Sequence, residues 1–318
     1  MTFAQRFTLV LMAAFFLSTV ATSLAGCVCA GAVLRASARA SATARAWTIA
    51  AYRLLPAAAA FGITAFILGP GYYRHEQRGE PENAGLVLAL CAAGGVLILL
   101  RSAARAARGI LSTRALRRAW IAASRPLDIA GSGMPAFAID SPFPLVAVLG
   151  VFRPRLFLST SVLRACSPGE IAAIIEHERR HASAGDNAVR LLMDAAPDAL
   201  GFSRAPGALA AAWHHAAEHR ADEAAARRLD LASALVRVAR MAGDARPMVP
   251  ASALYRGDSI EDRVKRLVGE GPGAARTRPI GAIGAAAAML ALVLAATAMS
   301  ARASEWAHTL LEAAVSLP

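Results

Sequence analysis

Two histidines four residues apart with a glutamate between them, His177-Glu178-Arg179-Arg180-His181, are the residues of this chain best suited to chemistry. On a helix, a spacing of four is a rise of about 6 Å and puts both imidazoles on one face, within reach of a single metal ion. Glu178 then points towards water activated at the ion rather than at the ion itself. A carboxylate there can accept the water's proton and later pass it to a leaving amine. This is why His-Glu-x-x-His segments carry the chemistry of zinc peptidases. A five-residue pattern with three fixed positions also arises in unrelated helices, where the histidines would be ordinary polar residues beside Arg179 and Arg180.

Catalytic zinc takes three protein ligands and keeps one position open. The downstream candidates for a third ligand are Glu218 and the histidines His214, His215 and His219. His214 and His215 are neighbours and point in different directions on a helix. Glu218 would complete a His-His-Glu set. Asp222, one turn later, could accept a hydrogen bond from the far nitrogen of a ligand histidine. The same acids could instead face solvent and pair with Arg220 and Arg227.

Helix signals surround these residues. Ser167 can cap, Pro168 suits a first helical position, and Glu170 completes a capping box with Ser167. Ile171, Ile174 and Ile175 then supply a buried side leading into the histidines, and Gly185 is a stop. A second helix is expected from Pro206 or Gly207 to about Leu231, after a linker from Asp194 to Ala205 that holds Pro197 and Gly201. A third should start after Asp258 or Ser259, carry Ile260, Val264 and Leu267, and end at Gly269. Upstream, Phe137–Ile139, Leu145–Val151 and Leu156–Leu158 read as short strands punctuated by Pro142, Pro144 and Pro154. An edge strand among them could hold an extended peptide by strand addition. Residues 120–279 are thus expected to form one α+β domain.

The rest of the chain is of another kind. Of 318 residues 56% are hydrophobic and 18% charged, an excess over soluble domains that is gathered into blocks. Charge-free or nearly charge-free segments at about 7–34, 47–69, 84–100 and 280–299 have the length of membrane spans, the third at the short limit. Arg53 and Pro56 lie inside the second, where a long side chain can snorkel and a proline is tolerated. The net charge of +12 comes almost wholly from arginine, Lys265 being the only lysine, and much of it flanks these blocks. Membrane-flanking cations account for it better than a phosphate groove, so no nucleic-acid partner is expected. Cys27, Cys29 and Cys91 fall in apolar blocks, and the four cysteines suggest no disulfide framework.

Arg35, Arg39 and Arg45 follow the first span, and Arg101, Arg105, Arg108, Arg114, Arg117 and Arg118 follow the third, without an acid among them. By the positive-inside rule both clusters are cytoplasmic, as is the domain that follows, and residues 300–318 form a short extracytoplasmic tail. Leu24-Ala25-Gly26-Cys27 also looks like a lipoprotein cleavage box, and a lipidated Cys27 would invert this topology.

The chain resembles the bacterial membrane metallopeptidases of the beta-lactam-sensor and antirepressor type. Ser141-Pro142-Phe143 with Phe152-Arg153-Pro154 resembles that family's strand pair. Glu176 to His181 followed by Asp186-Asn187 resembles its zinc motif. Trp213 with Glu218-His219-Arg220-Ala221-Asp222 resembles its second-helix motif, and Arg263-Val264 with Leu267 a further one. The resemblance implies a multi-span helical membrane protein with a gluzincin-like zinc peptidase domain inserted between the third and fourth spans. It assigns His177, His181 and Glu218 as Zn2+ ligands and Glu178 as the catalytic acid–base. Asp222, Asp186 and Arg263 are expected as accessory residues. Asp186 could otherwise cap the zinc helix, and Arg263 could hold the third helix in a salt bridge. Trp213 reads as packing, and Arg263 and Tyr255 are the candidates for stabilising an oxyanion.

Sensor members carry a large extracellular domain after the last span, which residues 301–318 are too short to provide. The expected function is therefore a zinc endopeptidase of the bacterial inner membrane. It would cleave itself, a cytoplasmic repressor or a membrane-associated protein, with any signal arriving through a separate sensor partner or the spans. The alternative is a signalling or scaffold protein whose zinc is structural, which would not need Glu178 as a proton carrier.

Overall fold

In the computed structural model, residues 1–75, 85–129, 131–201, 203–242, 260–269 and 309 are described. The expected fourth span, the tail apart from Thr309, and Tyr255 lie outside them. Three helices among the described residues are long and apolar enough to cross a membrane: Phe3–Ser37, Ala42–Arg74 and Leu86–Ala122. The first is α1. The second comprises α2 (Ala42–Ile63), a π-helical turn over Thr64–Leu68 and α3 (Gly69–His75). The third, α4, is 37 residues long. Hydropathy ends that span at Leu100, but nothing in the following basic segment breaks a helix. The arginines and alanines therefore continue it to Ala122.

α1 and α4 pack closely through small residues. Gly94 lies under the ring of Phe16 and Gly95 under the backbone of Met12, so a β-carbon at either position would collide. α1 and α2 are antiparallel around Gly26, which faces Pro56, and the Thr22 hydroxyl donates to the Pro56 carbonyl at 3.0 Å.

Four strands follow: β1 (Ser124–Leu127), β2 (Ala136–Ile139), β3 (Val146–Leu149) and β4 (Arg155–Ser159). Their order is β1-β2-β4-β3, with β2 and β4 parallel and the outer pairs antiparallel. The last three match the sequence reading. β1 contains Pro126 and was not expected as a strand; as an edge strand it needs few ladder donors. Central β4 is buried on both faces. Leu156 and Leu158 face one core, shared with Ile174 and Leu231, while Phe157 stacks on Phe137 and meets Trp120 of α4 on the other.

The remaining helices are α5 (Thr160–Ala165), α6 (Pro168–Ala184), α7 (Asp186–Ala195), α8 (Arg204–Ala224), α9 (Arg228–Ala242) and α10 (Ile260–Val268). The capping box forms as expected: Ser167 Oγ accepts from the Glu170 amide and Glu170 Oε2 from the Ser167 amide. Gly185 ends α6 at φ +69°, the left-handed conformation that favours glycine. The second helix differs from expectation. It ends at Ala224, not near Leu231, and α9 starts separately. The Ala226 amide between them donates to Glu176 of α6, a partner the local sequence does not show.

The α7–α8 pair forms a hairpin whose tip reaches the three long helices. Asp198 pairs with Arg53 at 3.1 Å, and the Ala199 amide donates to Ser23 Oγ. Arg105 donates to the carbonyls of Asp194 and Ala196, and Ser102 to that of Ala195. The C-terminal carbonyls of α7 are thereby satisfied by α4. Further along, Leu209, Trp213, Ala216 and Ala217 of α8 pack on Ala30 of α1 and Ala46, Ile49 and Ala50 of α2.

Candidate metal centre

α6 carries His177 and His181 into the space between the sheet and α8, because Ala173, Ile174 and Ile175 bury its other side in the core. α8 brings Glu218 opposite them. One ligand atom from each of His177, His181 and Glu218 lies within 4.8 Å of the others, a grouping that could hold a metal ion. His177 Nε2 is 3.6 Å and His181 Nε2 is 3.4 Å from the Glu218 carboxylate, and the two Nε2 atoms are 3.1 Å apart.

The outer nitrogens explain this convergence. His181 Nδ1 lies 2.7 Å from Asp186, and His177 Nδ1 lies 3.1 Å from Asp222. With the His181 Nδ1 hydrogen-bonded to Asp186 and the His177 Nδ1 in ion-pair range of Asp222, both Nε2 atoms are turned inward towards a third, anionic donor. Such an arrangement is repulsive unless a metal ion, or a proton carried by one imidazole, lies among the three. The Glu218 oxygens are moreover buried with ion-pair neighbours but no protein hydrogen bond, and Oε1 of Glu178 is buried without one as well. Two imidazoles and one carboxylate suit zinc, although this donor set does not select it alone.

Each orienting acid is itself held. Asp186, the first residue of α7, also accepts from Arg220 of α8. Asp222 accepts from Arg263 Nε at 2.8 Å and Nη2 at 2.6 Å, while Arg263 Nη1 lies 2.9 Å from Glu218. Arg263 is fully buried, with 0% exposure. The structure thus places Asp186, Asp222 and Arg263 around the three candidate ligands, and it shows the Arg263 salt bridge that holds α10. Asp222 lies beside His177, one of the candidate ligands.

The electrostatics follow from burial and these neighbours. Burial pushes the Glu178 carboxyl above its ordinary range, partly offset by the nearby histidines. A raised carboxyl is the state in which a glutamate can carry a proton. Burial would raise Glu218 too, but His181, His177 and Arg263 hold it well below the carboxylate range. Burial would lower His177, yet Asp222 and Glu218 outweigh it and raise the imidazole to about 9. His219 is lowered to about 4 by burial and by Arg266, which contacts its ring. It faces away from the cluster and is not among the metal donors.

A cleft opens over Glu178, His181 and Glu218, bounded by Ala147, Val148 and Leu149 of β3 on one side and Trp213 and His214 of α8 on the other. β3 is an edge of the sheet. Ser159 donates to the Leu145 carbonyl, so the backbone groups of Leu145, Ala147 and Leu149 face β4, and those of Val146 and Val148 face outward. Asn187 Nδ2 donates to the carbonyls of Val148 and Gly150 at 3.1 Å, which fixes this edge relative to α7. That role of Asn187 and the Arg220 contact had no sequence signal beyond their positions beside Asp186 and Glu218. Trp213 is buried in the α8–α2 contact as well as lining the cleft, in keeping with a packing role. Comparison with protein-family models, with curated proteins and with solved structures finds no match for this chain.

Proposed function

We propose that this chain is a membrane-bound zinc-dependent endopeptidase. The observation that carries the reading is the inward convergence of His177, His181 and Glu218 with buried Glu178 beside them, open to a cleft along a strand edge. Zinc held by the three ligands would supply Lewis-acid activation of water and of the scissile carbonyl. Glu178 takes the proton from the attacking water and returns it to the leaving amine, which its raised proton affinity favours. Asp186 and Asp222 hold the imidazoles in the tautomer that leaves Nε2 free. The outward groups of Val146 and the outward Val148 amide can bind an extended peptide as a further strand, the Val148 carbonyl being held by Asn187. The resemblance to the antirepressor-type metallopeptidases points the same way, as does arginine placement, which puts the domain on the cytoplasmic face of a bacterial inner membrane.

The substrate would be the chain itself, a repressor or another membrane-associated protein, with a separate sensor as the partner that signals. In zinc-loaded protein, Glu178→Ala should keep its metal and lose peptide or self-cleavage by at least about a hundredfold. Cleavage at the wild-type rate would refute the assignment. A wild type that binds zinc but cleaves none of a broad peptide library would favour a scaffold with structural zinc.

A further inference from the structure

Hydropathy would end the first span near Leu34, just before Arg35. The packing of α1 on α4 argues for a different level. The charge-free run from Phe7 to Leu34 would be about 42 Å long at 1.5 Å per residue, against a hydrocarbon core of about 30 Å. Tilt cannot absorb the excess, because α1 lies along α4 and would tilt with it. Met12 and Phe16 meet Gly95 and Gly94, and Val10 and Ala13 share one core cluster with Leu88 and Ala92. α4 therefore reaches Arg101, which is exposed, at about the level of Thr22 on α1.

Polar groups from four elements meet at this one level. Thr22 Oγ1 donates to the Pro56 carbonyl, and Ser23 receives the Ala199 amide. Arg53 pairs with Asp198, while Ser102 and Arg105 close the end of α7. Exposed Arg108 follows one turn further along α4. Were the boundary at Leu34, Arg101 and Arg108 would both be bare to hydrocarbon, as would the irregular tip of the α7–α8 hairpin nearby. Below this level, α1 from Phe3 to Thr22 spans about 29 Å, which fits the core, with Arg6 buried against protein one turn from its far end.

We infer that the bilayer surface lies at the ring formed by Thr22, Ser23, Arg53, Asp198, Ser102 and Arg105. The last two to three turns of α1 and the start of α2 then stand in water, as a brace for α8. The tip of the α7–α8 hairpin rests among the lipid headgroups. From Ser203 to Glu218 is about 22 Å along α8, so the metal centre stands roughly 20 Å from the membrane. The bond presented to it belongs to a polypeptide segment in water, and an extended chain anchored in the bilayer needs about six residues to reach it. The position of the boundary does not depend on what the metal does.

The test compares two side chains that are both exposed on the protein but differ in predicted surroundings. Val28 of α1 is 75% exposed and Leu90 of α4 is 62% exposed. Val28→Cys and Leu90→Cys, each with the native cysteines replaced by alanine, are placed in lipid nanodiscs and treated with a membrane-impermeant maleimide. Val28→Cys should react at least tenfold faster than Leu90→Cys, and denaturant should equalise them. Equal protection of both positions would put Val28 in lipid and overturn the inference. If either variant fails to fold, wild-type protein is labelled and its native sites located by mass spectrometry. Exposed Cys29 should be modified in nanodiscs, and its protection until the lipid is removed would contradict the boundary equally.

Discussion

The two helices that supply the candidate metal donors are held by different parts of the molecule. α6 presents His177 and His181 from a core made with the sheet and α9, through Ala173, Ile174, Leu231 and Leu235. α8 presents Glu218 from a seat on α1 and α2, where Trp213, Ala216 and Ala217 meet Ala30, Ala46, Ile49 and Ala50. The histidine pair is thus fixed by the domain itself, and the third ligand by the helices that precede it. Arg263 and Asp186 tie the halves together, the first from α10 to Asp222 and Glu218, the second between His181 and Arg220. A site divided this way can be altered from the α1–α2 side without disturbing the histidines.

The largest effect tests the tie between the halves. Arg263→Ala leaves Glu218 and Asp222 as buried carboxylates without their cation. Loss of one partner from such a pair costs about 3–5 kcal/mol. Thermal unfolding should show that loss, and an unchanged melting point would mean that the ion pairs contribute nothing. A smaller effect should come from the α8 seat. Ala50 is 3% exposed, and Ala50→Leu overfills its contact with α8 at a cost of about 1–3 kcal/mol. Zinc affinity should fall with it if α1 and α2 position Glu218. Retained affinity in a destabilised variant would separate the ligand from its seat.

On the α6 side the expected effects are smaller. Ser167→Ala removes the N-cap and should cost about 1 kcal/mol in denaturant titration, with no change in bound metal. Hydrogen bonds from Ser233, the Ser167 amide and Arg237 outweigh burial and hold Glu170 below its ordinary value of 4.5. A depressed carboxyl contributes stability above its unfolded pKa, and that contribution is lost as pH falls through the folded value. Glu170→Gln should therefore flatten the acid limb of the stability curve below about pH 4.5. An acid limb identical to wild type would remove Glu170 from the account.

Much of the α6 half was legible in sequence because its signals are local. The capping box, the isoleucines one turn apart and the histidine spacing all lie between Ser167 and Gly185. Glu218 and Asp222 were legible as a pair one turn apart, but the choice of Glu218 over neighbouring histidines needed the family resemblance. What stayed hidden depends on residues distant in sequence. Arg263 reaches Asp222 and Glu218, Glu176 sets the break after α8, and Arg53 meets the hairpin tip at Asp198. Hydropathy likewise measured the length of α1 but not its level against α4, which packing at Gly94 and Gly95 sets.

Metal content tests the centre most directly. Protein purified from membranes and loaded with zinc should hold one ion per chain, with an X-ray absorption spectrum of two imidazoles and a carboxylate. His177→Ala, His181→Ala and Glu218→Ala should each lose most of that zinc, while Glu178→Gln keeps it. Zinc retained in full by the three ligand variants, or lost equally from Glu178→Gln, would contradict the site described.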